Sequence, residues 1–479
     1  MTAAVFAAYL VVVFAIGFGA LRRTRTESDF WIAGGRLGSW LGGATLAATH
    51  ASAGTYIGTV GVIHTVGWEF TWLVLFIPLS YWFMAAVLAP RLARARELTL
   101  PAFLERRYGS RRARALGAVV ILIATTVYMQ AQVIAGGLIA ETVFGIPATW
   151  GMAIFTVILL AYTVVGGMVA VVWTDLVQLV VMVLGAVAAV PMVFRLLDGP
   201  EALFTAVEAL RPGVFDFGTL PGILLFTMGL SFLLGGIATP EKLIRVYAIR
   251  SPREARRGLF LATIVATGVN LLVFLVALAA IGLFPVLPSG DLAMPLIASV
   301  ALPPLLGTVL LAAIVAAIMS TVDSLLLVAG SALSHDLLGT LRPASGPRTR
   351  MLTARIGTVV VGVAPLLLIL SGFGGGDLVQ FIVLLFTAIM ASAFFVPVVL
   401  GVTWRRITGQ GALAAMAGGV VTVFLWQAEV FPWPGWGPDL VHPAAPGVLV
   451  SFILGIGVSL LTPRSSPEAL APYFGGGEE

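Results

Sequence analysis

Cysteine is absent from this 479-residue chain, which excludes disulfides and thiolate chemistry. Charge is scarce as well: Asp, Glu, Lys and Arg make up 10% of the residues, where soluble domains carry about a quarter. There is no HExxH pair, no nucleophile elbow and no dense polar cluster that would face water, so a membrane-bound enzyme lacks its chemistry. What fills the chain is apolar. With 59% hydrophobic residues and a mean hydropathy of +1.05, it reads as an integral membrane protein.

Thirteen apolar stretches are long enough to cross roughly 30 Å of hydrocarbon as helices. They lie at 3–21, 38–62, 67–90, 115–142, 150–170, 174–194, 222–239, 259–284, 304–333, 352–371, 377–402, 411–428 and 446–462. Backbone in lipid must satisfy its own hydrogen bonds, so the expectation is an all-α membrane protein with 13 transmembrane helices. The basic residues orient it. Of 27 Lys and Arg, all but Arg195 and Arg211 fall in alternate loops, at 22–36, 91–114, 242–257, 342–355, 405–406 and 464. By the positive-inside rule those loops are cytoplasmic, with the amino terminus outside and the carboxyl terminus inside the cell membrane. The pI near 9.9 then needs no nucleic-acid partner, and the lipid bilayer is the partner implied. Residues 3–21 carry their charges after the apolar run, which predicts a retained helix rather than a signal peptide. Trp68 and Trp72, with Glu69 at the water edge, anchor the third span, and Trp426, Trp433 and Trp436 mark the outer boundary between the last two.

Three spans carry the polar features. The ninth, LAAIVAAIMSTVDSLLLVAGSAL at 311–333, places Ser320, Thr321, Asp323 and Ser324 at its middle. An Asp there costs roughly 2.5 to 3.5 kcal/mol on insertion scales, which makes it a functional-site hypothesis. At 3.6 residues per turn, Ala317, Ser320, Thr321 and Ser324 share one face, with Asp323 at its edge. Such a face suits close helix packing or coordination of a hard cation such as sodium. The second span has small and polar residues from Ala47 to Gly58, among them Thr49, His50, Ser52, Gly54 and Thr55, and no bulky aliphatic residue before Ile57. It predicts a helix broken at mid-membrane, where freed carbonyls and amides face an ion or solute. The seventh span is interrupted by Gly229, Gly235 and Gly236 before Pro240. Gly-interrupted spans in corresponding positions of two halves point to a transporter binding site. These two are five spans apart, which predicts inverted repeats at 38–196 and 222–402, an outer loop at 197–221, an extra helix within 1–37 and two more within 403–479. In the fourth span, Tyr128, Gln130 and Gln132 either line a solute pocket or bond between helices. Asp175 is expected at the inner membrane edge, and 242–257 in a cytoplasmic loop.

The stretches DFWIAGGRLGSW, ATHASAGTYIGTVG, GGMVAVVWTDLVQ, TPEKLIRVYAIRSPREARRG and AAIMSTVDSLLLVAGSALSHDL occur in order between 28 and 336. In them the chain resembles the sodium:solute symporter family, whose members carry proline, pantothenate, sialic acid and sugars. The resemblance implies a fold like that of the leucine transporter: a five-plus-five inverted repeat, one helix before it and two after. It implies a sodium site built from the backbone carbonyls of Ala48, Ala51 and Ala317 and the hydroxyls of Ser320 and Thr321. A possible second ion site, as in some members, maps onto Asp175, Ser320, Asp323 and Ser324, with Asp323 standing where sialic acid carriers have Ser. Substrate contacts are expected from His50, Ser52, Gly54, Tyr128, Gln132, Phe232, Gly235 and Gly236. Proline carriers have Asp at the place of His50 and Trp at that of Phe232, and the common Pro-His pair is here Pro240 and Glu241. A proline substrate is therefore not indicated, and a monocarboxylate, pantothenate-like or amino-acid-like solute is expected instead.

Together these features predict import of a small organic solute by sodium symport with alternating access, and no obligate protein partner. The alternatives are a proton-coupled permease of the same fold, in which His50 or Asp323 would titrate, and a solute sensor on a transporter scaffold. A sensor would need an appended signalling domain, and few residues follow the last span.

Overall fold

The computed structural model describes residues 2–21, 24, 26–95, 97–341, 347–372, 378–430 and 436–474. Arg22, Arg23, Arg25, Arg96, Arg342 and Trp433, counted above among the loop charges and aromatic anchors, lie outside the described residues. Among the described residues the regular structure is helical, and an isolated β-bridge joins Leu37 and Ile249. Ten helices among the described residues are long and apolar enough to cross a bilayer, from Trp68–Ala93 to Ala444–Leu461. Three further segments expected to span are also helical: Thr2–Leu21, the first part of Ala148–Leu196, and the interrupted pair Ser39–His50 and Thr59–Val66.

Burial sorts these helices into core and periphery. Pro304–Leu338 buries 83% of its apolar window and Val379–Thr403 buries 89%, against 33% for Leu352–Leu370 and Ala444–Leu461. A helix that is apolar on every side and enclosed belongs to the centre of a large bundle. The enclosed pair therefore forms the middle of the molecule, and the others present a lipid-facing side.

The two interrupted helices break with the same parts in opposite order. Ser39–His50 ends at Ala51, whose backbone is extended (φ −71°, ψ 117°), and a wide turn at Gly54–Gly58 leads into Thr59–Val66. Gly222–Leu230 passes through a wide turn at Ser231–Gly235 to Thr239, again extended (φ −69°, ψ 129°), before Pro240–Ala248 resumes. Proline at the first helical position suits such a restart, since its missing N–H would be unpaired there anyway. Gly235 allows a close approach: a Cβ there would stand 2.5 Å from the carbonyl oxygen of Thr387. Gly167, at φ 61°, divides the long Ala148–Leu196 helix and leaves room for the Phe30 ring.

Two sequence expectations are corrected at the helix ends. Glu69 is not at the water edge: it is 1% exposed and accepts the amides of Gly218 and Leu220, at 2.8 and 2.5 Å. Lys242 and Arg245 are not loop charges either, because Pro240–Ala248 is buried along its whole length. Helix Leu100–Tyr108, on the arginine-rich face, is capped by Thr99 and tied down by Arg107, which is fully buried and donates to Gly401 O at 2.5 Å.

On the opposite face, the short segment Gly290–Leu292 lies between two spans, and Asp291 Oδ2 accepts the first amide of helix Val379–Met390 at 2.9 Å. Burial pushes the Asp291 carboxyl up to about 6, and the Val379 amide opposes that shift. An unfolded Asp titrates near ~3.9, so as pH falls through 6 the folded protein takes up this proton first. Stability from this group therefore rises between pH 7 and pH 5, by on the order of 1 kcal/mol. Melting temperatures of wild type and Asp291→Asn across that window check it: wild type should gain on acidification relative to the variant, and parallel curves would contradict it.

Candidate functional site

Where the first interrupted helix meets Pro304–Ser331, five oxygens converge. Ser320 Oγ lies 3.0 Å from Ala48 O and 3.1 Å from Ala317 O, and Thr321 Oγ1 lies 3.3 Å from Ala51 O and 3.1 Å from Ala317 O. All five residues are enclosed. The break at Ala51 makes this possible, because a continuous helix would spend the carbonyls of Ala48 and Ala51 on its own amides. Oxygens held at roughly 2.4 Å around a hard cation stand about 3 to 3.5 Å from one another. The cluster has that spacing, carries no thiol or imidazole, and suits an alkali cation that takes carbonyl and hydroxyl ligands. Sequence reasoning reached this set in two steps: helical spacing for Ser320 and Thr321, resemblance for the alanines.

Beside it lies a cavity of about 70 Å³ whose wall includes Thr49, His50, Ser52, Gly54, Tyr128, Phe232 and Gly236. Tyr128 stacks on Phe386, ring centroids 4.5 Å apart. His50 Nε2 is 3.3 Å from Asn270 Nδ2, and its ring meets Tyr81 edge-on. Gln132 and Gly235, expected among the substrate contacts, stand outside this wall. Gln132 accepts the Ala53 amide at 3.2 Å, supplying the partner that the broken helix takes from that N–H. Gly235 faces Thr387 instead. Among the residues that sequence reasoning missed here are Lys242, Glu241, Asn270, Gln380 and Thr387. Lys242 matters most. Its ammonium sits 5.2 Å from the centre of the Tyr81 ring, and Glu241, whose Oε2 is buried without a hydrogen-bond partner among the described residues, lines the same cavity.

A family model described as the sodium:solute symporter family matches residues 30–419. The chain belongs to that family. This symporter is 30% identical to a sodium/pantothenate symporter of Escherichia coli over 461 residues, covering 93% of each chain. It is 29% identical to an osmoregulated proline transporter of Bacillus subtilis, covering 95% of this chain and 94% of that one. In fold it is similar to a Na+-coupled sialic acid symporter in a substrate-bound, outward-open state, with a TM-score of 0.83 at 20% identity over 97% of this chain and 98% of that one. A nucleobase-cation-symport-1 transporter in a closed conformation gives a TM-score of 0.59 at 15% identity, over 94% and 99%. Known relatives of the family are transporters, not enzymes, and this chain is a multi-pass membrane protein of a family of sodium-coupled symporters for small organic solutes.

The candidate second ion site of the symporter is arranged differently from the first. Asp175, expected at the membrane edge, is fully buried, and its Oδ2 accepts from Arg245 Nη2 at 2.9 Å and from Thr45 Oγ1. Arg245 also donates to Ser324 Oγ at 2.7 Å, to Thr45 Oγ1 at 2.8 Å and to Glu241 O at 2.8 Å. Its guanidinium thus lies between Asp175 and Ser324, where a second cation would need to sit. Ser324 passes the contact on to Ser320 O at 2.7 Å, which links the arginine to the first cluster. Asp323 is fully buried one position before Ser324. A buried ion pair of this kind is costly to break from one side, about 3 to 5 kcal/mol, because the remaining charge is stranded.

Proposed function

We propose that this symporter imports a short-chain monocarboxylate with one sodium ion by alternating access, across thirteen helices whose arginine-rich face is cytoplasmic. The two matched interruptions, at Ala51 and Thr239, support inverted repeats at 38–196 and 222–402. Sodium held by Ala48, Ala51, Ala317, Ser320 and Thr321 joins the first interrupted helix to Pro304–Ser331 and so stabilises the arrangement that receives solute. Asp175 and Arg245 form a fixed structural ion pair, with Ser324 bonded to the arginine, rather than a second ion site.

The observation that carries the solute class is Lys242. A desolvated ammonium facing a small cavity attracts a carboxylate strongly, with Asn270 and His50 as further polar contacts and Tyr128, Phe232 and Phe386 against the apolar end. Size narrows it. A cavity of roughly 150 Å³ accepts benzene, so about 70 Å³ fits an acid of acetate or propionate size better than pantothenate. Glu241, beside Lys242 in the same wall, favours a second reading, a small zwitterionic amino acid.

One sodium carried with one carboxylate moves no net charge, so a membrane potential adds nothing and a tenfold sodium gradient sustains about tenfold accumulation. Acetate and glycine uptake into proteoliposomes tests this. Acetate uptake should need sodium, fail with potassium in its place, and change less than about twofold when a potassium diffusion potential is imposed. Sodium-dependent glycine uptake that such a potential drives would select the zwitterion. Acetate uptake unaffected by replacing sodium would overturn sodium coupling.

A further inference from the structure

A second cavity of about 880 Å³ lies on the arginine-rich face, away from the transport site, between the starts of Ser39–His50 and Pro252–Leu283 and the end of the Trp68–Ala93 span. Its volume is within the roughly 300–1,000 Å³ range of ligand sites. Arg253, Arg256 and Arg257 rim it. They follow the three- and four-residue spacing of one helix face and make no ion pair among the described residues. The nearby acid, Glu254, is already committed to Arg250 and to the Ser39 amide, at 3.1 and 2.7 Å.

Going into the membrane, the same helix face changes character: Phe260 and then Ile264 follow the arginines, at 64% and 56% exposed. Across the groove, Leu79 and Trp82 form a second apolar ridge, with Trp40 exposed at its mouth. Ala85, Ala86 and Pro90 keep the floor between them shallow. Polarity thus runs from guanidinium through indole to aliphatic over about three helical turns, which is the gradient of a phospholipid from headgroup to acyl chain.

We infer that this groove binds one anionic glycerophospholipid of the adjoining leaflet, with its phosphate on Arg253, Arg256 and Arg257 and an acyl chain between Phe260 and Trp82. A free anion would use the arginines but not the apolar ridges. A zwitterionic lipid would add a choline that meets three guanidinium groups.

The test uses the full chain in phosphatidylcholine nanodiscs with and without phosphatidylglycerol, reading retained lipid by native mass spectrometry and melting temperature in parallel. Wild type should retain one phosphatidylglycerol and melt higher with it. The triple variant Arg253→Gln, Arg256→Gln, Arg257→Gln should lose affinity by on the order of a hundredfold, each arginine being worth roughly a fivefold factor. A control triple, Arg111→Gln, Arg112→Gln, Arg405→Gln, removes the same charge elsewhere on this face and should retain the lipid. Sodium-driven uptake in phosphatidylcholine should be unchanged in both, which shows that they fold. If a triple variant fails to fold, Trp40→Phe with Trp82→Phe gives the readout instead: quenching of tryptophan fluorescence by brominated phosphatidylglycerol should fall against wild type. Equal retention by the arginine triple, equal loss in the control, an equal melting shift from inorganic phosphate, or unchanged quenching would each overturn the site.

Discussion

Replacing Ser320 and Thr321 together by alanine is expected to raise the sodium concentration for half-maximal uptake by on the order of a hundredfold. In the proposed sodium site each hydroxyl supplies one of the five clustered oxygens, and a contact to a charged group contributes roughly 1.5 to 3 kcal/mol. Losing two therefore costs about 3 kcal/mol or more, which is two decades in affinity. Alanine is the best helix former, so the helix itself should persist. Ser331→Ala, on the same helix, removes a hydroxyl that bonds only to Val328 O and should leave sodium dependence close to wild type. If the double variant and Ser331→Ala behaved alike, the five-oxygen cluster would be packing and not a site.

The second large effect is expected at Lys242. Lys242→Met keeps the length and apolar stem of the side chain and removes its charge. A carboxylate then enters a buried cavity with no ammonium to meet it, at a cost of roughly 2 to 5 kcal/mol. The concentration of acetate for half-maximal uptake should rise about a hundredfold or more, while sodium should still raise the melting temperature of the variant as it does for wild type. Loss of both responses would mean that Lys242 supports the fold. Unchanged acetate dependence would mean that the solute's charge is read elsewhere, with Asn270, His50 and Ser80 among the remaining polar groups of the wall.

The helical architecture was legible in the sequence because ten of the spans announce themselves by length and hydropathy, while the count of thirteen and the orientation rest on the apolar runs and the basic residues alone. The proposed ion cluster was half legible. Ser320 and Thr321 carry their chemistry in their side chains and share a helix face, whereas Ala48 and Ala51 contribute only backbone oxygens and look like any other alanines. Their role needed the break at Ala51, which the small-residue run around Thr49 suggested but did not position. Lys242 and Arg245 were misread for a physical reason: a basic residue just past a hydrophobic run normally marks a loop, and the nine-residue helix restarting at Pro240 hides that these two are enclosed. Asp175 was misplaced with them, since its partner Arg245 lies 70 residues away and no local pattern pairs them. Gln132 shows a different limit. Its two readings, toward solute or toward another helix, stayed open in the sequence, and its bond to the Ala53 amide reflects that a broken helix needs acceptors for its own freed amides.

Equilibrium binding of radioactive sodium to the purified protein measures the central geometry most directly, since it requires neither the solute nor transport. The expected result is one saturable ion per chain, lost when Ser320 and Thr321 are both alanine. Two ions per chain in wild type, or one ion held with unchanged affinity by the double variant, would contradict it.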